Sequence, residues 1–305
     1  MLEPATLQIQ RLDTFGGHRD SVFTLASSTR AGHFFSAGAD GQVADWNVAR
    51  PDLGTLVAKI SASVYALTLD TESGFLWVGQ NYEGIQFVDP VLKTSVGSLQ
   101  LTTGAIFDIQ IYQQTAFVAL GDGVVVIVDV PTRAVRKHLK ASAKSARCVA
   151  INPVKREFAV GYSDHQIRIF DLHSFDLKRT IGGATNSVFT VAYSPDFRHL
   201  LAGGRDTHLR SWDVEADYRP ESDVVAHLYA LNHLAYSPDG QWLATVSMDK
   251  TIKLWEADSL RLRKVIDRAR YGGHSTSINK VLWLSGTTFA TASDDRTIAV
   301  WEVIG

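Results

Sequence analysis

One spacing governs what this chain can fold into. A segment of about forty residues recurs seven times, each copy closing on a bulky anchor residue. The clearest copies end at Trp46, Trp212, Trp255 and Trp301, and weaker ones end at Val88, Val128 and Phe170. Successive anchors lie 42, 40, 42, 42, 43 and 46 residues apart. A fixed period of this length means one supersecondary unit, stacked repeatedly because no single copy can bury its own apolar face. Each copy holds three short runs with alternating polarity, such as SVFTLA, FFSAGA and QVADWNV in the first. Alternation of period two is the mark of a half-buried strand. SPDG at 237–240 and SPDF at 194–197 are turn sequences, with proline at the second position. A fourth run lies between copies, for example TLVAKI and LRLRKVI, and no stretch carries a sustained helical stripe. Four strands per copy and seven copies predict an all-β fold.

The first and last copies open on glycine-histidine, at 17–18 and 273–274, and the seven copies end on WN, VD, VD, FD, WD, WE and WE. A period of about 40–45 residues with these two signatures resembles the WD40-repeat family, whose fold is the β-propeller. The resemblance covers nearly the whole chain. It implies a single domain over 1–305, a seven-bladed propeller of four-stranded antiparallel blades. The chain ends after a third strand and begins with an unassigned strand-like run, LQIQRLDTF. In the family such an N-terminal strand completes the last blade, so residues 7–13 are expected beside the strand of Trp301. Closure of this kind removes an open sheet edge.

Composition narrows the setting. Thirty Lys and Arg face 32 Asp and Glu, so the basic excess of a dedicated nucleic-acid binder is absent. The lone Cys148 cannot form an internal disulfide. No apolar run approaches membrane-spanning length, and MLEPATLQIQRL lacks the features of a signal peptide. The expectation is an intracellular, cytoplasmic protein without a membrane partner, monomeric on its own.

Six residues before the anchor, six copies carry aspartate: Asp40, Asp122, Asp164, Asp206, Asp249 and Asp295. Tyr82 is the exception. Copies one, six and seven add a hydroxyl at Ser36, Thr245 and Thr291 and a histidine at His18, His227 and His274. With Trp46, Trp255 and Trp301 these resemble the family's structural tetrads, hydrogen-bonded from turn aspartate to indole. Ser36, His18 and Asp40 would also suit nucleophilic catalysis, but threefold recurrence with serine–threonine exchange favours a structural role. Blades two to five, lacking the set, are expected to rely on apolar packing. The histidines show no metal-ligand spacing, and no phosphate loop or cofactor motif occurs.

With register set, positions the fold does not demand become comparable. The second residue of the inner strand reads Phe23, Tyr65, Phe107, Arg147, Phe189, Asn232 and Asn279. Strand alternation turns it away from Val22 and its equivalents. In the family this position lies at the mouth of the central channel and often touches partners, in some members clamping an arginine between aromatics. Small residues, such as Ser21 and Ser63, precede it, leaving the rings accessible. The residue before the turn aspartate faces the same rim, and includes Asn81, Arg205, Met248 and Asp294. The expected function is therefore a non-catalytic scaffold that grips a peptide or loop of a partner protein on this rim, alone or as a subunit of a larger complex. The plain alternative is that the rings only plug the channel. Two basic stretches, 131–147 and 260–270, lie mainly on outer strands. They offer an alternative acidic or nucleic-acid partner surface, or else only protect sheet edges. A channel-mouth enzyme is the third reading; the rim supplies it only Asp294 and amides. The acidic segment 215–223 reads as a solvated loop after Trp212.

Overall fold

A computed structural model describes residues 7–101 and 103–304. Their strands form seven four-stranded antiparallel sheets, six of them consecutive meanders. The seventh is composite. Its inner strands Ile278–Trp283 and Thr288–Ser293 lead to Ile298–Ile304, and the N-terminal strand Gln8–Phe15 pairs along that third strand. The pairing runs from Gln8 opposite Ile304 to Phe15 opposite Ile298. The ring therefore closes as expected, with the strand two residues longer at its C-terminal end. Residues 1–6 lie outside the described residues.

The core sits between blades. Ala244, Val246, Ile252 and Leu254 of blade six pack with Ile278, Val281 and Trp301 of blade seven. A middle strand is covered on both faces by neighbouring sheets, which is why Val124–Asp129 can be nearly continuous valine and isoleucine. Outer strands have one wet face and read as polar. Where the second strand ends beside the loop leading into the inner strand of its own blade, a side chain is excluded: a Cβ on Gly38 would stand 2.0 Å from the Ser21 carbonyl oxygen, and one on Gly204 2.0 Å from that of Ser187.

One expectation is corrected here. Residues 219–223 are not loop, because Arg219–Val225 is the outer strand of blade five. Its acidity is that of an exposed edge strand, and before it Tyr218 turns inward, buried, with its hydroxyl 2.8 Å from Tyr193 Oη and donating to Glu157. Among the described residues there is one short helix, Arg268–Tyr271, between blades six and seven. Asp267 caps it by accepting from Arg270 N, and Gly272 ends it at φ 66°. One turn is too short to leave a periodic stripe.

Candidate functional site

The seven inner strands all begin on the face that carries the aspartate turns, and each slips register at its second residue. Pairing jumps from Val22 to Thr24, Val64 to Ala66, Ile106 to Asp108, Ala146 to Cys148, Val188 to Thr190, Leu231 to His233 and Ile278 to Lys280. The skipped residues are Phe23, Tyr65, Phe107, Arg147, Phe189, Asn232 and Asn279. A bulge frees its extra residue from the ladder and re-aims it. All seven line one pocket of about 370 Å³ at the channel mouth. The bulge also lets the following residue face the axis. Asp108, Cys148, Thr190, His233 and Lys280 thus line the same pocket, and sequence alternation alone does not find them.

The first ring is not a set of separate open faces. Phe23 and Tyr65 have centroids 4.7 Å apart, and Tyr65 and Phe107 5.8 Å. The Arg147 guanidinium then lies 3.8 Å from the Phe107 centroid and 4.8 Å from that of Phe189. The chain fills the aromatic clamp with its own arginine. Such cation–ring contacts contribute about 0.5–2 kcal/mol each, more when desolvated. On the opposite side Asn232 donates to Ser277 Oγ at 3.0 Å and to the Ile278 carbonyl at 2.8 Å. Asn279 donates to the Val22 carbonyl at 2.9 Å and to Asp294 at 2.8 Å. The ring therefore both lines the mouth and ties blades together. The small residues before it also stitch blades: Ser145 Oγ donates to the Gly121 carbonyl at 2.8 Å.

Electrostatics below the mouth are set by burial. Burial draws the Arg147 guanidinium below the usual arginine range. Burial pushes the Cys148 thiol far up, with the Asp108 charge adding to it, so this cysteine is no nucleophile. Burial and then the Lys280 charge hold His233 well below its ordinary value, and its Nδ1 has no partner. Asp108 is engaged, accepting from Val149 N at 2.8 Å and Gln110 Nε2 at 3.0 Å.

The second group of rim residues divides. Arg205 and Met248 are exposed on the upper face. Asp294 is partly buried against Asn279. Asn81 does not face the rim: it is buried, and its carboxamide oxygen accepts from Ile106 N of the next blade at 2.8 Å. A polar side chain in a sequence does not reveal which backbone donor it serves. Leu228 and Tyr229 carry a signal the sequence reading missed. They are 83% and 61% exposed, beside Met248 at 56%. Met248 N and Ser247 Oγ donate to the carbonyls of Ala230 and Tyr229, so all three side chains crown the loop that enters the pocket at Asn232.

The histidine sets form relays. Trp46 Nε1 donates to Ser36 Oγ at 2.7 Å, Ser36 lies 2.7 Å from His18 Nε2, and His18 Nδ1 is 3.1 Å from Asp40. Blade six repeats this through Trp255, Thr245 (2.9 and 2.8 Å) and His227 to Asp249 at 3.0 Å. Blade seven repeats it through Trp301, Thr291 (2.9 and 2.9 Å) and His274 to Asp295 at 3.0 Å. The network assigns one tautomer, with Nδ1–H donating to the carboxylate and Nε2 accepting from the hydroxyl. Ser36, Thr245 and Thr291 are fully buried, and each oxygen already takes an indole proton. A substrate carbonyl cannot reach them.

Blades four and five hold the same turn differently. Arg168 is bidentate to Asp164 at 3.0 and 2.8 Å, and Arg210 reaches Asp206 at 2.7 Å and Asp223 at 3.1 Å. To the apolar packing expected of these two blades the structure adds an ion pair: an arginine four residues after the turn acid takes over from histidine. The basic stretches are largely engaged within the chain. Arg133 lies over Phe87 and donates to the Val96 carbonyl, and Lys137 and Lys140 donate to the Ser174 and Asp122 carbonyls. Arg261 and Arg263 pair with Glu256, Lys264 with the Leu7 carbonyl, and Arg270 with Asp267. Among the described residues no group of three or more His, Cys, Asp or Glu could hold a metal ion. No helix among them is long and apolar enough to cross a membrane.

Comparison with known proteins agrees with this architecture. The family model "WD domain, G-beta repeat" matches residues 9–44, 175–213, 219–256 and 267–302. The "66 kDa stress protein" of Physarum polycephalum is 25% identical over 95% of this chain and 47% of its own length. "Actin-interacting protein 1" of Caenorhabditis elegans is 22% identical over 94% of this chain and 47% of its own. The chain spans about half the length of these relatives. The crystal structure of the WD40 β-propeller domain of Doa1 superposes with a TM-score of 0.85 at 18% identity, covering 97% of both chains. Repeat signature, matched segments and sheet topology coincide: the chain carries WD40 repeats and folds as a seven-bladed β-propeller.

Proposed function

We propose that this propeller is a non-catalytic scaffold that holds a peptide or loop of a partner protein across the upper face. The observation that carries the reading is the crown of Leu228, Tyr229 and Met248 beside the pocket that all seven bulge residues line. Three large, exposed apolar side chains on two adjoining loops of blade six cost free energy in water and gain it under a partner. Aromatic, methionine and arginine side chains together have the composition of interface cores. Arg205 and Tyr82, both exposed, extend the surface over blades five and two. The alternative of an acidic or nucleic-acid partner on 131–147 and 260–270 has fewer free cations to work with, since most are committed within the fold. A buried free thiol at Cys148 fits a reducing, cytoplasmic setting.

The test uses exposed positions, so folding is not at issue. Leu228→Glu with Met248→Glu should abolish recovery of a reproducible partner from native extract while leaving the thermal midpoint unchanged. Undiminished recovery would remove the upper face from consideration.

A further inference from the structure

The clamp at the channel mouth is already occupied by a cation, so what it selects is the opposite charge. Among the described residues, no protein acceptor meets the Arg147 guanidinium: its recorded contacts are the two ring faces of Phe107 and Phe189. A guanidinium held by its faces has its N–H edges left over, and those edges are the part that binds planar oxyanions two hydrogen bonds at a time. Lys280 lines the same pocket, and its ammonium too has no hydrogen bond or ion pair among the described residues. The two cations enter the pocket from different blades, Arg147 from blade four and Lys280 from blade seven.

We propose that this pocket receives a carboxylate side chain, from aspartate or glutamate of the docked partner segment, between Arg147 and Lys280. The inference rests on the upper-face docking reading and names the chemistry of what docks there. The charge count favours a carboxylate over a phosphate. Two cations line the pocket with one carboxylate, Asp108, whose oxygens are engaged by Val149 N and Gln110. His233 is neutral, so one positive charge is left for a ligand of charge −1. The rings of Phe23 and Tyr65 give the apolar part of such a side chain a wall to lie against.

The geometry also makes the site cheap to form. Arg147 loses little side-chain freedom on binding, because Phe107 and Phe189 already hold it; preorganisation of this kind raises affinity by lowering the ordering cost. Ring stacking positions the donors, and the ligand supplies the acceptors.

The experiment titrates the intact chain, labelled at arginine nitrogen, and follows the Arg147 Nε–H resonance, assigned with Arg147→Lys. The probes are propionate, its neutral twin propionamide, and inorganic phosphate. Propionate should shift that resonance saturably, propionamide should leave it in place, and Lys280→Met should weaken propionate about tenfold or more. No saturable shift with propionate, an equal shift with propionamide, or phosphate binding more tightly than propionate would each overturn the assignment. The wild-type titration stands even if a variant folds poorly. It also separates the two readings: loss of partner recovery in the Leu228/Met248 double variant with a silent Arg147 keeps the docking face and discards the carboxylate site.

Discussion

Blades one, six and seven and blades four and five meet the same local demand with different chemistry. In the first group a relay of indole, hydroxyl, imidazole and carboxylate runs from the third strand to the turn. In the second a guanidinium reaches the turn carboxylate directly. Blades two and three have neither. Tyr82 stands in the turn at φ 71°, and among the described residues the Asp122 carboxylate accepts only from Val124 N, at 3.1 Å. The fold thus requires that the turn be held, and leaves open what holds it. The relay is costly to break because its indole, hydroxyl and imidazole are buried, and the hydroxyl and imidazole each serve two partners.

That contrast can be broken in order of expected effect. Deleting 8–15 removes the outer strand of blade seven while leaving its relay in place, and should lower the thermal midpoint more than any single substitution. An unchanged midpoint would show that relays, not closure, hold the ring. Thr291→Val strands the Trp301 indole N–H and His274 Nε2 together, a loss of about 3 kcal/mol in chemical denaturation. Arg168→Met breaks a pair that is 14% and 23% exposed and fills its space, so about 1 kcal/mol is expected. If the second loss equals the first, the two chemistries are equivalent and the contrast dissolves.

Acid should separate them further. Burial pushes Asp249 and Asp295 up, but hydrogen bonds from His227 and His274, from Thr251 and Thr297, and from backbone N–H groups outweigh it and hold both carboxyls below the ordinary range. Burial likewise depresses His227. A depressed folded-state pKa gives stability that is present above the unfolded value and lost as pH falls through the folded one. Stability should therefore decline below about pH 6.5 through His227, and again below about pH 3.9 through the carboxylates. Asp249→Asn should flatten the lower part of the curve; parallel curves for variant and parent would refute the assignment. The smallest effect is kinetic. Second- and third-strand amides of blades two and three should exchange hydrogen faster than those of one, six and seven, with four and five between. Equal protection in all seven would mean that neighbours, rather than local networks, set blade stability.

Much of this was legible in the chain, because period and alternation are backbone properties. Anchors from Trp46 to Trp301 order seven blades, and the strand at Gln8–Phe15 follows from the missing fourth strand of the last copy. The ring from Phe23 to Asn279 was also readable, since equivalent positions can be compared once the period is known. What escaped lies where side-chain geometry decides. Alternation assigns one axis-facing residue where the bulge delivers two, so Asp108, His233 and Lys280 went unseen. Arg147 looked like a neighbour of the aromatic clamp and is its occupant. Asn81 looked like a rim amide and serves a backbone donor. Polar outer strands such as Arg219–Val225 resemble loops because only one of their faces is dry.

The register slip at the head of every inner strand has one more consequence. It detaches a belt of side chains from the hydrogen-bonded frame, so that most exchanges within the belt leave every ladder intact. Relatives of this propeller could acquire new tastes by swapping those side chains alone, much as a lock is rekeyed by changing its pins and not its barrel.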